Sequence, residues 1–150
     1  MKPGATFTIT TDTTLYAVWA VDVTGPGGGG DSIPDYNQFA VLYNGSGQTS
    51  GTAPGDANGY NTGDDVNVKA NSGLLKKTDA TFIGWSFGSW PVVTAAANEP
   101  ADLKKPGDTF TITTDTTLYA VWAIDVNGPG GGGDSIPDYD QIAVIYDGNG

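Results

Sequence analysis

The chain repeats itself with a period of 103 residues, and this repeat constrains its fold more than any other feature. Residues 2–47 match residues 105–150, with 38 of 46 positions identical. Within this match, residues 6–20 and residues 109–123 share the sequence TFTITTDTTLYAVWA. Such repetition is typical of arrays of similar modules. We therefore expect one complete unit, flanked by parts of two others, in a segment cut from a longer protein.

Alternation of apolar and polar residues, or enrichment in β-branched and aromatic residues, predicts several strands. TFTITT at 6–11 and TLYAVWAVDV at 14–23 are predicted to pair as a hairpin, and the same pair recurs at 109–114 and 117–126. Further strands are predicted at 38–43, with a copy at 141–146, and at 65–70 and 81–87. Residues 47–63 are predicted to form a long loop. Pro100 divides residues 94–105, which limits them to a short helical turn.

These elements predict a mainly β (α+β) fold with five segments. Two Gly-rich linkers are expected, since four consecutive glycines do not hold a fixed backbone at low cost. The segments are the closing strands of a preceding repeat at 1–23, a linker at 24–37, a complete module at 38–123, a second linker at 124–139 and the first strand of a following repeat at 140–150.

Composition excludes several classes of function. The formal net charge is −11, and all six basic residues are lysines, so the basic footprint of a nucleic-acid-binding protein is missing. The sequence has no apolar run long enough to cross a membrane. It also has no cysteine and no histidine, which removes thiolate metal sites and the usual general base. We expect a protein that is not an enzyme, with no catalytic residues and no organic cofactor.

An ordered set of motifs resembles one known family. Gln38–Tyr43 is followed by Asn44-Gly45, then by Phe82-Ile83-Gly84-Trp85, and finally by Thr117-Leu118-Tyr119-Ala120-Val121-Trp122. This order resembles the Listeria–Bacteroides repeat, the InlB B-repeat-like module of bacterial surface proteins, over residues 38–123. The resemblance implies a small β-grasp-like module in tandem array on secreted or cell-surface proteins, often adhesins. It implies no enzymatic activity.

The linkers carry a second resemblance, to Asp-rich calcium-binding loops that join modules of bacterial surface proteins. Calcium prefers six to eight oxygen ligands. Two interpretations stay open, a Ca²⁺ site in each linker and a solvated acidic linker without metal. The candidate ligands are Asp22, Asp31 and Asp35 in or just before the first linker, and Asp125, Asn127, Asp134 and Asp138 in the second.

The tryptophans support two different functions. Trp19, Trp85 and Trp122 lie in predicted strands, where a large aromatic side chain is expected to anchor a small core. Trp90 lies in a Gly-Ser-Trp-Pro loop and is the better candidate for an exposed aromatic. The alternative to a structural repeat is therefore an extracellular module that binds a glycan or a protein through Trp90 and the 47–63 loop.

The partial units at the two ends contain apolar strand residues without the rest of a module. Unpaired strand edges favour pairing with another chain, so we expect head-to-tail association through the terminal strands, or pairing of the two ends within one chain. The expected partners are neighbouring repeats or copies of the chain, or a host or cell-surface glycan or protein. The candidate inter-subunit residues are Phe7, Ile9, Leu15, Val18, Trp19, Ile142, Val144 and Tyr146.

Overall fold

A computed structural model describes residues 4–30, 32–127, 133–142 and 144. The described residues form five strands and three short 3-10 helices, which makes the protein mainly β, as predicted. The strands are β1 (Val41–Asn44), β2 (Asp65–Asn67), β3 (Ala80–Ser86), β4 (Thr109–Thr111) and β5 (Thr116–Ile124). The 3-10 helices are Asp35–Asn37, Ala96–Asn98 and Asp138–Asp140. In the part of the chain that is described, no helix has the length and apolar character needed to cross a membrane.

A three-stranded mixed sheet forms the centre of the module, in the order β1-β5-β3. β5 is its middle strand, parallel to β1 and antiparallel to β3. β5 has nine residues, and those that are apolar pack alternately on its two sides, as expected for a strand covered on both faces. Leu118, Ala120 and Trp122 enter the main core, whereas Val121 and Ala123 belong to a second cluster.

A two-stranded antiparallel sheet, β2-β4, supplies the other side of the main core. Val66 in β2 and Ile112 just after β4 are almost fully buried against Trp85 and Trp122. The indole Nε1 of Trp85 donates to the Lys69 carbonyl (2.9 Å), and Nε1 of Trp122 donates to the Gly45 carbonyl (3.0 Å). Both indoles therefore fill the core and satisfy their polar atom, which confirms the core role predicted for these two tryptophans.

The Phe82-Ile83-Gly84-Trp85 motif has a clear physical role in β3. The pairing of β3 with β5 shifts register between Phe82 and Gly84, and Gly84 has φ of 152°. A Cβ atom on Gly84 would lie 2.7 Å from the Lys104 carbonyl oxygen, so a glycine is needed at this close approach. The bulge allows Phe82 and Trp85 to pack edge to face, with ring centroids 5.0 Å apart.

The predicted hairpins are wrong. β4 and β5 follow each other in the chain but lie in different sheets, where β4 pairs with β2 and β5 with β1 and β3. The strands predicted at 6–11 and 14–23 do not form either, because described residues 4–30 contain no strand. In the module the same sequence is held by β1, β2 and β3, whereas no described strand pairs with residues 6–23.

The remaining predicted elements agree with the structure. The strand predicted at 38–43 forms as β1, those predicted at 65–70 and 81–87 form as β2 and β3, and residues 94–105 contain only the helix Ala96–Asn98. Residues 47–63 contain no strand beyond isolated bridges at Ser50 and Tyr60. The strand predicted at 141–146 lies largely outside the described residues.

Candidate functional site

The exposed copy of the repeated segment presents several large apolar side chains to solvent. Trp19 is 89% exposed and Val18 is 91% exposed, whereas the equivalent Trp122 and Val121 are 2% and 0% exposed. The prediction that Trp19 anchors a core is therefore wrong in this structure. Its side chain has the sequence context of a core residue, but no strand among the described residues covers it.

All the candidate inter-subunit residues that are described present apolar surface to solvent. Tyr146 lies outside the described residues. Large exposed apolar surfaces mark interaction sites or sites of association. The exposed residues are Phe7, Ile9, Leu15, Val18 and Trp19 near one end of the chain, and Ile142 and Val144 near the other.

The two Gly-rich linkers contain the same local structure, which we call the linker latch. In the second linker, the Ser135 N–H donates to Asp125 Oδ2 (2.9 Å) and the Val126 N–H donates to Asp138 Oδ2 (3.1 Å). The two aspartates therefore fasten the ends of the Gly-rich stretch to each other. In this way the carboxylates compensate for the freedom of the glycine run.

The first linker repeats this latch at positions 103 residues earlier. The Ser32 N–H donates to Asp22 Oδ2 (2.7 Å), and the Val23 N–H approaches Asp35 Oδ2 at 3.4 Å. The φ angles of Ser32 and Ser135 are 70° and 72°. The repeated sequence therefore forms the same turn in both linkers.

The predicted calcium ligands are brought together only in pairs. In the described ranges, no three acidic side chains lie close enough to hold a metal ion. Asp31 lies outside those ranges, and Asn127 is exposed. Asp134 accepts from the Ile136 N–H (3.1 Å) and from the Gln141 side chain. One feature fits a cation, because Oδ1 of Asp125 and Oδ1 of Asp138 are buried without a hydrogen-bond partner. The calcium site stays a prediction.

The second linker is docked on the module by Tyr139. The Tyr139 ring packs against a cluster on the outer side of the three-stranded sheet, which we call the back face. Its hydroxyl donates to Glu99 Oε1 (2.8 Å). Burial of the ring, and then its bond to the Glu99 carboxylate, raise the pKa of Tyr139 well above its usual range. The back face consists of Ile83, Val93, Leu103, Val121 and Ala123.

Trp90 lies in a shallow cleft on the module, as predicted for an exposed aromatic. Its side chain is 42% exposed, and the cleft has a volume of about 480 Å³. Pro91, Val92 and Glu99 are among its lining residues. An apolar wall with one carboxylate at its edge is a suitable surface for a sugar ring or a short peptide.

The 47–63 loop is anchored by a buried carboxylate rather than by strands. Asp56 is 2% exposed, accepts from the Tyr60 hydroxyl (2.9 Å) and lies 3.6 Å from Lys69 Nζ. A buried carboxylate needs such partners, since an unpaired charge in the interior is costly. Burial is the main cause that raises the pKa of Tyr60. Backbone hydrogen bonds of Ser50 with Lys76 and of Thr52 with Gly73 hold the loop as well. Most of the residues between 47 and 59 are exposed.

The comparisons with known proteins give no relative. No family model, no curated protein and no solved structure matches the chain. The resemblance to the Listeria–Bacteroides repeat therefore stays a prediction.

Sequence reasoning missed the docking pair of Tyr139 and Glu99 and the anchor formed by Asp56, Tyr60 and Lys69. One signal was available for the first pair, because DSIPDY occurs unchanged in both linkers at 31–36 and 134–139. A linker that only provides length has no need of an identical aromatic residue at a fixed distance from its aspartates. No pattern in the sequence points to the Asp56 anchor.

Proposed function

We propose that the chain is a structural segment of a secreted or surface-anchored bacterial protein, such as a stalk, adhesin or fibre. In this proposal β-grasp-like modules of about 86 residues follow one another in tandem and hold a distal region away from the cell. The function is mechanical, and the chain is not an enzyme. The acidic character keeps neighbouring modules soluble and mutually repelling.

The observation that carries the proposal is the presence of the same 15 residues in a buried and an exposed copy. In the module, these residues supply the central strand of a sheet that is covered on both faces. The exposed copy at 6–20 has the residues needed for the same position in a further module. The mixed sheet, with parallel pairing of its first and last strands, supports the β-grasp-like architecture.

The proposal includes head-to-tail association of copies through their terminal strands. In the module, Tyr43 of β1 lies opposite Leu118 of β5. Applying the 103-residue repeat gives an equivalent pair between two chains, in which Tyr146 of one chain lies opposite Leu15 of the other. A contact of this heterologous kind continues from chain to chain, and it is the basis of the proposed fibre.

Light scattering after size-exclusion chromatography tests this association across protein concentration. We expect residues 1–150 to form larger species as concentration rises. Residues 37–140, which keep all of β5, the linker latch and Tyr139, should stay monomeric. A full-length variant with Leu15→Asp and Val18→Asp should also stay monomeric, and both side chains are exposed, so the module should keep its fold. If residues 1–150 are monomeric at every concentration, self-association is wrong and the chain is one module of a longer covalent array.

A second candidate function is supported by the exposed cleft at Trp90. In this alternative the chain is an extracellular module that binds a glycan or a protein through Trp90 and the 47–63 loop. Trp90→Ala should then abolish binding in a glycan-array or host-protein screen. Trp19→Ala is the matched control, because Trp19 is also exposed but lies outside the cleft. Equal binding by wild type and Trp90→Ala would exclude this site.

Calcium binding by the linkers is also part of the proposal, and the buried unpaired oxygens of Asp125 and Asp138 support it. Titration calorimetry with calcium chloride should give a heat that decreases in Asp138→Asn. Asp108→Asn is a control outside the linkers, in the turn before β4. No heat from the wild-type chain would favour the solvated acidic linker.

A further inference from the structure

We propose that each linker is a fixed joint, in which its tyrosine docks on the back face of the preceding module and its glycine run contacts the following module. Tyr139 is docked in this way on the module at 38–123. Tyr36 is the equivalent residue of the first linker, and its partner is the back face of another copy of the module. This inference rests on the proposed tandem arrangement.

The contact with the preceding module is seen in the second linker. Tyr139 packs on Val121 and Ala123 of the central strand β5 and bonds to Glu99, which follows the helix Ala96–Asn98. The linker latch fixes the distance between β5 and this tyrosine, because Asp125 and Asp138 each bind the other end of the Gly-rich stretch. The linker latch therefore positions the Tyr139 ring against the back face.

The contact with the following module is seen in the first linker. The Gly27 N–H donates to the Asn58 carbonyl (3.3 Å), in the 47–63 loop. Gly27 also lies directly against Ala40, since a Cβ atom on Gly27 would be 3.1 Å from the Ala40 side chain. The glycine at this position therefore allows a close approach of linker and module, in addition to a φ of 77°.

Because the linkers are copies related by the 103-residue repeat, we infer that each linker makes both contacts, through its tyrosine with the preceding module and through its glycine run with the following one. Tyr36 is 78% exposed although its linker has the same latch as the second one. Its missing partners are identifiable, because Val18 and Ala20 are the counterparts of Val121 and Ala123, and both are exposed here. Val18 and Tyr36 are thus two exposed residues that would cover each other in a completed unit.

The consequence is a defined angle between successive modules. A flexible Gly-rich linker would allow neighbouring modules to rotate freely. A linker that is attached on both sides, by a partly buried aromatic ring and by a close backbone contact, transmits orientation along the array. Stalks built from such joints would be stiff over several modules.

Tyrosine nitration with tetranitromethane, mapped by mass spectrometry, tests the docking in the 150-residue chain. Peptides that contain Tyr36 and Tyr139 are distinguishable because residues 37 and 39 differ from residues 140 and 142. We expect Tyr139 to react more slowly than Tyr36, on the order of tenfold. Glu99→Ala should accelerate the reaction of Tyr139 and leave that of Tyr36 unchanged. Equal rates for the two tyrosines in the wild-type chain would overturn the proposal.

An extended chain tests the partner of Tyr36. A copy of residues 38–104 placed before residue 2 completes the first unit. We expect amide hydrogens in 6–20 to become protected and the nitration of Tyr36 to slow to the rate of Tyr139. If 6–20 is protected but Tyr36 still reacts rapidly, the joint is wrong and the tandem arrangement stands. If 6–20 stays unprotected, the tandem arrangement is wrong and the joint fails with it.

Discussion

Residues 6–20 and 109–123 have the same sequence and different structures. In the module the segment supplies β4 and β5, and Trp122 is 2% exposed. In the other copy no strand forms, and Trp19 is 89% exposed. Local strand propensity is identical in the two copies, so it does not decide the outcome. The difference shows that pairing and burial of this segment depend on strands distant in sequence.

The position of β5 explains why the segment depends so strongly on its surroundings. A central strand needs a neighbour on each side and a layer on each face. β1 and β3 supply the neighbours, the β2-β4 sheet covers one face, and Val93, Leu103 and Tyr139 cover the other. Without these elements an isolated hairpin of 6–11 and 14–23 would bury too little apolar surface to be stable in water.

Replacement of the tryptophan is expected to give the largest difference between the two copies in the free energy of unfolding. Trp122→Ala removes a buried ring and its bond to the Gly45 carbonyl, so we expect it to lower the free energy of unfolding by about 3–5 kcal/mol. Trp19→Ala should change it by less than about 0.5 kcal/mol. Urea denaturation followed by far-UV circular dichroism measures both. Similar losses in the two variants would mean that residues 6–20 also contribute to a folded core.

A smaller difference in the free energy of unfolding is expected when Asp115 and its counterpart Asp12 are replaced. Asp115 Oδ1 accepts from the Ala40 N–H (2.9 Å) and fastens the start of β5 to the residue before β1. Asp115→Ala should therefore lower the free energy of unfolding by about 1 kcal/mol. Asp12→Ala should change it by less than about 0.5 kcal/mol, since no strand forms at 4–30. The same denaturation experiment gives both values, and a reversed order would contradict the account.

The smallest effect is a loss of module stability at alkaline pH. Burial raises the pKa of Tyr43 and of Tyr60, whereas the unfolded chain ionises its tyrosines near pH 10. The resulting stabilisation is complete below about pH 10 and is lost as pH rises toward the higher pKa values of the folded state. Thermal unfolding between about pH 9 and about pH 11 should show this fall, and Tyr43→Phe should make it shallower. A stability that stays constant over this range would contradict burial of these hydroxyls.

The sequence predicted the strands of the module well and their pairing poorly. Alternation in 65–70 identifies a strand because one face of β2 is buried, and the aromatic residues of 81–87 identify β3. The core role predicted for Trp85 and Trp122 is confirmed. The hairpin prediction used the short separation of 109–114 and 117–126. The structure instead pairs β5 with β1, which is more than 70 residues away, and a local pattern carries no information about such a partner.

The linkers were predicted only in part. Four consecutive glycines predict a flexible connection, and the acidic residues were assigned either to calcium or to solvent. In the structure the aspartates bind backbone N–H groups 10 and 12 residues away, which makes a turn out of the linker. The core role predicted for Trp19 is wrong because its neighbours in sequence match those of Trp122 whereas its neighbours in space differ.

Hydrogen exchange on the two copies of the repeated segment is the most direct test of the account. Intrinsic exchange rates are the same because the sequences are the same, and peptides that include Ala5 or Asp108 are distinguishable by mass. At a low concentration where the chain is monomeric, the account predicts strong protection of amides in 116–123 and exchange at near-intrinsic rates in 13–20. Equal protection of the two copies would contradict the claim that this segment folds only between β1 and β3.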